Sequence, residues 1–204
     1  MPGIALILWL VFALLALGGR ILIQLRRHRS SGVTGISGAP GSVEWWGGLL
    51  FVGALLAGGV APVLELADVV KPLGALDAGG VHVAGLALYA LGLAGCVGAQ
   101  LAMGASWRIG VDESERTDLV TDGPFAIVRN PIYSGVIPLV AGLTLLAPNP
   151  VAIAAFFALV VAFEVQVRLV EEPHLLRAHD PEYREYASRV GRFVPGLGLL
   201  RPRR

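Results

Sequence analysis

The stretch IYSGVIPLVAGLTLLAPNPVAIAAFFALVVAFEVQVRLV, residues 132–170, decides the fold class. It contains two apolar runs, 132–147 and 151–170, which are separated only by Pro148-Asn149-Pro150. A helix needs about 20 apolar residues to cross a hydrocarbon core of roughly 30 Å. Because so short a joint forces the two helices to run antiparallel, the stretch predicts a helical hairpin in a membrane. Its first helix is short, so we expect it to tilt little or to be sheltered by protein.

The rest of the chain has the same apolar character. Of its 204 residues, 55% are hydrophobic and 15% are charged, whereas a soluble domain has about 25% charged residues. Three further apolar runs cover about 4–25, 45–66 and 81–103. This composition excludes a disordered chain, a nucleic-acid binder with a basic face and most soluble enzymes. It predicts an all-α polytopic membrane protein, one domain over 1–204, with about five transmembrane helices.

Basic residues predict the orientation of these helices. With the N-terminus outside, 15 of the 16 basic residues fall on the inner side and only Lys71 lies outside. The positive-inside rule therefore places the C-terminus at Arg204 in the cytosol, on the same side as Arg116 of the loop before the fourth run. The excess of arginine over lysine is typical of a GC-rich bacterial genome, which predicts the bacterial inner membrane. The first run could instead be a signal peptide, but it lacks a charged start and a cleavage site.

Single residues within the apolar runs suggest packing roles. Arg20 is close enough to the end of the first run for its guanidinium to snorkel out of the membrane. Glu164 and Arg168 are spaced i, i+4, which favours an ion pair on one helix face. The third run has a small residue at every fourth position, which predicts close approach of a neighbouring helix. These small residues are Ala90, Ala94, Gly98 and Ala102.

Two polar segments, 104–131 and 171–196, fall on the predicted cytosolic side. In the first, Pro131 is placed to begin a helix, where its missing N–H costs nothing. The second begins with Glu171 and Glu172, which oppose the macrodipole at the end of the preceding helix. Nearby arginines, or the hydroxyl or ammonium groups of a ligand, would offset that charge. The two segments therefore predict a shared pocket that opens on the cytosolic face.

The tail after the double glutamate is expected to form two short helices. Pro173 is expected to restart a helix, and Asp180 to cap the next one. That last helix presents Tyr183 and Tyr186 on one face, with Arg189 beside it. An amphipathic helix lying on the membrane is the alternative interpretation. One cysteine and two histidines spaced by five give no metal-ligand pattern, so we expect no metal.

Both polar segments carry motifs of a known enzyme family. In the first segment the motif residues are Leu119-Val120, Gly123-Pro124-Phe125, Arg129-Asn130-Pro131 and Tyr133. In the second they are Glu171-Glu172, Leu175, Tyr183, Tyr186, Arg189-Val190 and Pro195. Together they resemble the isoprenylcysteine carboxyl methyltransferase family and its phospholipid methyltransferase relatives, which are integral membrane enzymes. Phe125 replaces a usual tyrosine and Asn130 a usual histidine, which points away from a prenylated protein as the substrate.

The resemblance implies a cofactor, an acceptor and a set of site residues. It implies methyl transfer from S-adenosylmethionine to a lipophilic or membrane-lipid acceptor, and no nucleic-acid partner. The implied catalytic residues are Arg129, Arg189 and Glu172, with Arg189 holding an anionic group of the acceptor. The implied cofactor-binding residues are Leu119, Val120, Gly123, Phe125, Arg129, Asn130, Pro131, Tyr133, Glu171, Glu172, Tyr183 and Tyr186.

Two other functions stay open at this point. A membrane NADPH-dependent reductase of the sterol type has a similar helical architecture. It would need more cationic residues near the phosphorylated ribose than the segment 104–131 contains. A non-catalytic membrane scaffold could also keep an ancestral pocket. Titration with S-adenosylhomocysteine and with NADPH would distinguish all three functions.

Overall fold

The computed structural model describes residues 1–33, 35–110 and 118–200, which form helices and no strand. Arg116 and Arg204, used above to predict orientation, lie outside these ranges. Four helical stretches are long and apolar enough to cross a membrane, and a fifth apolar helix, Pro131–Leu146, is shorter. The four long stretches are Pro2–Arg27, Val43–Leu66, Gly79–Ser106 and Pro150–His179. The predicted all-α membrane fold is confirmed.

Eight α-helices are described, and π-helical segments interrupt two of the long stretches. The helices are α1 (Pro2–Phe12), α2 (Arg20–His28), α3 (Val43–Leu66), α4 (Gly79–Met103), α5 (Pro131–Leu146), α6 (Pro150–Val165), α7 (Glu172–His179) and α8 (Glu182–Arg189). The first π segment, Ala13–Gly19, joins α1 to α2, and the second, Gln166–Glu171, joins α6 to α7. Two of the membrane stretches are therefore continuous helices with a widened turn inside.

The hairpin joint between α5 and α6 is fixed by Asn149, which is fully buried. Its side-chain oxygen accepts a hydrogen bond from the Ala152 amide at 3.0 Å, capping the start of α6. Its Nδ2 donates to the Glu65 carboxylate at 2.9 Å and to the Ala61 carbonyl at 3.2 Å, both near the end of α3. One asparagine thus caps the hairpin's second helix and attaches the hairpin to α3.

Glycines bring α4 and α5 into backbone contact. A Cβ on Gly92 would lie 2.4 Å from the Leu139 amide nitrogen, and one on Gly142 would lie 2.4 Å from the Gly85 carbonyl oxygen. This close packing shelters α5, on which Val136, Leu139, Val140 and Leu143 belong to the main apolar core. The prediction of which face of α4 packs closely against a neighbouring helix is wrong. Its four residues, Ala90, Ala94, Gly98 and Ala102, are all exposed.

One further expectation from the sequence is wrong, and two are met. Arg20 does not snorkel, because only 3% of the residue is exposed and its guanidinium donates to the Gly104 carbonyl inside the protein. Pro173 lies in the first turn of α7, as expected, and α7 continues the stretch Pro150–His179 without a break. A proline inside a helix lacks a hydrogen-bond donor and clashes with the preceding turn, and the π segment directly before it gives the extra room. The predicted Glu164–Arg168 ion pair is present.

The tail helix α8 begins one residue later than the sequence suggested. Pro181, not Asp180, is its N-cap residue, and Asp180 instead ends α7. The Asp180 carboxylate accepts a hydrogen bond from Arg184 Nε at 3.2 Å, one turn into α8. Further along α8, the Tyr186 hydroxyl donates to the Phe125 carbonyl, so this short helix packs against the segment that precedes α5.

Candidate active site

A cavity of about 410 Å³ lies where α3, α4 and α5 meet the tail helices. This size is within the range of small-molecule sites, which is about 300–1,000 Å³. Its polar end includes Gln166, Glu171, His174, Tyr133, Tyr183 and Tyr186. Its apolar arm includes Phe12, Leu17, Phe51, Val52, Leu55 and Val136. The α3 residues that line the cavity run from Gly48 to Leu55, so the cavity follows that helix for about 10 Å.

The polar end is organised around the Glu171 carboxylate. Tyr133, near the start of α5, donates its hydroxyl to Glu171 Oε1 at 2.5 Å. Gln166 Nε2 approaches the same oxygen at 3.4 Å. In an α-helix, residues five apart point about 140° away from each other, but a π-turn pairs residue i with residue i+5. The π segment Gln166–Glu171 therefore brings both side chains to one wall of the cavity.

Glu172, one residue further on, has a different environment. Its Oε1 accepts from Arg129 Nη2 at 2.6 Å and from Arg192 Nε at 2.8 Å, and its Oε2 accepts from Arg192 Nη2 at 2.8 Å. The three side chains are buried, with 7% of Glu172, 1% of Arg129 and 10% of Arg192 exposed. The bond to Glu172 raises the pKa of Arg192. Glu172 is thus the centre of a buried ion cluster and does not line the cavity.

Arg129 joins the start of α5 to the folded-back tail. Besides Glu172, its guanidinium donates to the carbonyls of Ala187 at 3.0 Å, Gly198 at 2.9 Å and Val190. The backbones run beside each other at the same place, since the Arg129 amide donates to the Gly191 carbonyl at 2.8 Å. Most of the hydrogen-bonding capacity of Arg129 is therefore used to hold the tail in place.

Asn130 and Ser134 extend this attachment along the first turn of α5. The Asn130 amide and its Nδ2 both reach the Arg192 carbonyl at 3.1 Å. The Ser134 hydroxyl donates to the Phe193 carbonyl at 2.8 Å. The tail is consequently part of the cavity wall rather than a helix lying separately on a membrane surface.

Tyr183 and Tyr186 close the polar end of the cavity from the tail side. The Tyr186 hydroxyl donates to the Phe125 carbonyl at 2.6 Å, and both rings are buried beside Leu119 and Leu175. Burial raises the pKa of Tyr186 to about 12 and raises that of Tyr183 as well. Both tyrosines are therefore neutral at physiological pH, and their hydroxyls are polar groups within an otherwise apolar cluster.

The cavity brings together ten of the site residues predicted from the sequence. They are Leu119, Val120, Phe125, Arg129, Asn130, Pro131, Tyr133, Glu171, Tyr183 and Tyr186. Gly123 does not line the cavity; it begins the short turn Gly123–Ala126 with a φ of +56°, which positions Phe125. Arg189 also lies away from the cavity. Its side chain is 71% exposed and pairs with Glu185 at 3.5 Å.

Sequence reasoning missed Gln166, His174 and Arg192. Gln166 lies in an apolar run, and only the π-turn aligns it with Glu171. His174 follows Glu171 by three residues, a helical spacing that was readable from the sequence. Arg192 is one of eight arginines from position 168 onward, and nothing local distinguishes it from the others. Two adjacent glutamates at the end of a helix oppose its macrodipole, and this was the signal that an arginine had to lie nearby.

Comparison with known proteins identifies the family. A family model described as "Phospholipid methyltransferase" matches residues 81–182, half of the chain. The chain belongs to the phospholipid methyltransferase family. The resemblance stated from the motifs is thereby confirmed. The match includes α4, α5, α6 and the double glutamate, but not the first three helices, which supply most of the apolar arm.

Two curated proteins are similar to this chain over part of their length. Protein-S-isoprenylcysteine O-methyltransferase B of Arabidopsis thaliana is 34% identical over 87 residues, which is 43% of this chain and 44% of that one. The nickel-cobalt-cadmium resistance protein NccN of Alcaligenes xylosoxydans xylosoxydans is 32% identical over 109 residues, 52% of this chain and 51% of that one. The chain matches about half the length of these curated relatives.

A solved structure shares the whole fold. The eukaryotic intramembrane Ras methyltransferase ICMT (isoprenylcysteine carboxyl methyltransferase) superposes with a TM-score of 0.62 over 98% of this chain and 75% of that one. At 22% sequence identity, this likeness establishes the fold alone. It extends the comparison to the first three helices, which the family model does not reach. This phospholipid methyltransferase family member is an integral membrane protein.

Proposed function

We propose that this chain is an S-adenosylmethionine-dependent methyltransferase that methylates a lipophilic acceptor. The observation that carries the proposal is the shape of the cavity, whose polar end at Glu171 continues into an apolar arm between membrane helices. A charged, polar cofactor and an apolar acceptor need these two environments side by side. Family membership supports the same reaction class and does not favour the reductase alternative.

The polar end fits the proposed cofactor. S-adenosylmethionine supplies a methyl group activated on a sulfonium, together with an ammonium, a carboxylate, ribose hydroxyls and an adenine. Within the described part of the chain, the hydrogen-bond donors to Glu171 are two neutral side chains, Tyr133 and Gln166. A partly buried carboxylate whose donors among the described residues are neutral fits an ammonium or hydroxyl group of a ligand. We therefore assign this contact to Glu171 alone.

Other residues of the polar end would enclose the cofactor. Leu119, Val120 and Phe125 offer apolar contacts to a planar ring, and the hydroxyls of Tyr183 and Tyr186 remain neutral. Arg129 and Glu172 act one step away, because their ion pair fixes the tail that carries the two tyrosines. We propose them as positioning residues, and the exposed position of Arg189 argues against its contact with the acceptor.

The acceptor would occupy the apolar arm. Methyl transfer from a sulfonium is an in-line displacement, so the protein contributes chiefly proximity and orientation. Phe51, Val52 and Leu55 of α3 and Phe12 of α1 supply a surface for an alkyl or polyprenyl chain that enters from the membrane. Because α1 and α3 lie outside the matched segment 81–182, we expect acceptor choice to differ among relatives. No metal is needed for this reaction.

A methyl-transfer assay tests the proposal. The purified protein in lipid nanodiscs would be given S-adenosylmethionine with a labelled methyl group and a panel of lipophilic carboxylates, thiols and amines. We expect label in the organic extract with at least one acceptor class, and its loss in Glu171→Ala. Binding of S-adenosylhomocysteine without transfer to any class would instead support a scaffold that kept the pocket.

A further inference from the structure

The first membrane helix carries a buried cation with an unusual set of partners. Arg20 is 3% exposed and Gln24 is fully buried, although both lie in a stretch long and apolar enough to span a membrane. Charged residues at such positions are costly and call for a partner. The partners of Arg20 are the Gly104 carbonyl, which accepts from Nη2 at 2.5 Å, and the Trp107 ring, whose centroid lies 4.9 Å from the guanidinium carbon.

Gln24 contacts the same segment one turn further along the helix. Its Nε2 donates to the Ala105 carbonyl at 3.0 Å and approaches the Trp107 carbonyl at 3.5 Å. These carbonyls lie one to four residues beyond the end of α4, at the negative end of its macrodipole. Arg20 and Gln24 donate to them from a neighbouring helix, and Arg108 Nη1 of the same segment also donates to the Ala105 and Trp107 carbonyls, at 2.7 and 2.8 Å. Among the described residues, these carbonyls and the Trp107 ring are the partners that accompany the burial of Arg20.

The segment that Arg20 and Gln24 hold is a wall of the cavity. After α4 the chain turns at Gly104, which has a φ of +56°, and continues past the tryptophan. Ser106, Trp107, Arg108, Ile109 and Gly110 all line the cavity. The far end of the segment is attached by the Ile109 amide, which donates to the Gly32 carbonyl at 2.7 Å, just after α2. Both attachments therefore come from the N-terminal part of the chain.

We propose that Arg20 and Gln24 are positioning residues of the active site. They hold the segment 104–110, which we name the rim, at the distance from α5 and α7 that ligand binding requires. The first helix is then a functional part of the site, although it lies outside the matched segment 81–182. The inference rests on the proposed function for the identity of the ligand, but not for the contacts that form the rim.

The test compares matched substitutions on one helix. Arg20→Gln and Gln24→Leu remove the rim contacts, whereas Arg27→Gln removes the same charge as Arg20→Gln from an exposed position. Arg20→Lys keeps the charge and a donor but loses the planar group that stacks on Trp107. Each full-length protein would be titrated with S-adenosylhomocysteine by calorimetry, and amide hydrogen exchange would be followed along the chain at the same temperature.

We expect Arg20→Gln and Gln24→Leu to weaken S-adenosylhomocysteine binding about tenfold, which corresponds to loss of about one interhelical hydrogen bond. Exchange should accelerate in the rim and not in α5 or α6. Arg27→Gln should bind like the wild type, and Arg20→Lys should recover part of the loss. The exchange pattern separates a displaced rim from a protein that has merely become less stable.

Several results would overturn the inference. Affinity within twofold of the wild type in both variants would mean that the rim does not depend on these contacts. Exchange that rises equally in all helices would show a general loss of stability. Failure of the wild type to bind S-adenosylhomocysteine would refute the proposed function instead, and rim exchange in Arg20→Gln would still decide whether the contacts hold the segment.

Discussion

Substitution of the two adjacent glutamates should give opposite results. Glu172→Ala leaves two arginines buried without their carboxylate, and breaking a buried ion pair from one side costs about 3–5 kcal/mol. For a chain of this size the melting temperature should fall by roughly 6–20 °C. Glu171→Ala removes a cavity-lining carboxylate whose donors are neutral side chains, so the melting temperature should change much less.

Ligand binding should reverse the order of the two variants. Loss of a charge-assisted hydrogen bond costs about 1.5–3 kcal/mol, so Glu171→Ala should weaken S-adenosylhomocysteine binding about ten- to a hundredfold. Glu172→Ala, measured well below its melting temperature, should lose less affinity than Glu171→Ala, because Glu172 acts on the ligand only through the tail that it positions. Differential scanning fluorimetry gives the first quantity and isothermal calorimetry the second. Each variant is the control for the other, since the same atoms are removed one residue apart.

Two outcomes would contradict these expectations for the two glutamates. If Glu172→Ala melts like the wild type and loses the ligand as Glu171→Ala does, Glu172 faces the ligand and the ion cluster does not stabilise the fold. If both variants are equally unstable and both bind normally, neither glutamate belongs to the ligand site. Either result would refute the assignment of the contact to Glu171 alone.

Three further predictions concern packing, the acceptor and orientation. Gly92→Leu should prevent folding, or destabilise the protein by more than the roughly 1–3 kcal/mol of ordinary overpacking, because a Cβ there lies 2.4 Å from backbone. The control, Gly98→Leu at an exposed position, should be tolerated. Expression yield and melting temperature measure both effects. Leu55→Trp should raise KM for a long-chain acceptor while leaving S-adenosylhomocysteine affinity unchanged, and equal loss of both would place the cofactor in the apolar arm. Reporter fusions after Arg204 should be active only in the cytosol, and activity on the outer side would refute the orientation.

The membrane fold was predictable from the sequence because hydropathy is a local property. Each apolar run is long enough to identify a span, and the short joint at Pro148 leaves two helices no choice but to run antiparallel. The contact between α4 and α5 was not predictable in the same way. Small residues occur on more than one face of α4, and only the position of α5 decides that Gly92 is inside while Gly98 is exposed.

The sequence predicted which residues belong to the site, but not what each of them does. The motifs selected residues that line one cavity, yet Glu171 and Glu172 are chemically identical in the sequence. Their different environments depend on the π-turn beside Pro173 and on a tail that brings Arg192 back to the start of α5. The burial of Arg20 depends in the same way on carbonyl groups more than eighty residues along the chain. Such long-range contacts leave no pattern in the local sequence.

The central claim, a site for S-adenosylmethionine, is tested most directly by calorimetric titration of the purified protein in detergent. S-adenosylhomocysteine is the stable ligand to use, with NADPH titrated separately under the same conditions. We predict that S-adenosylhomocysteine binds at one site per chain with an affinity that Glu171→Ala lowers at least about tenfold, and that NADPH gives no binding heat. Saturable binding of NADPH, with none of S-adenosylhomocysteine, would contradict the account.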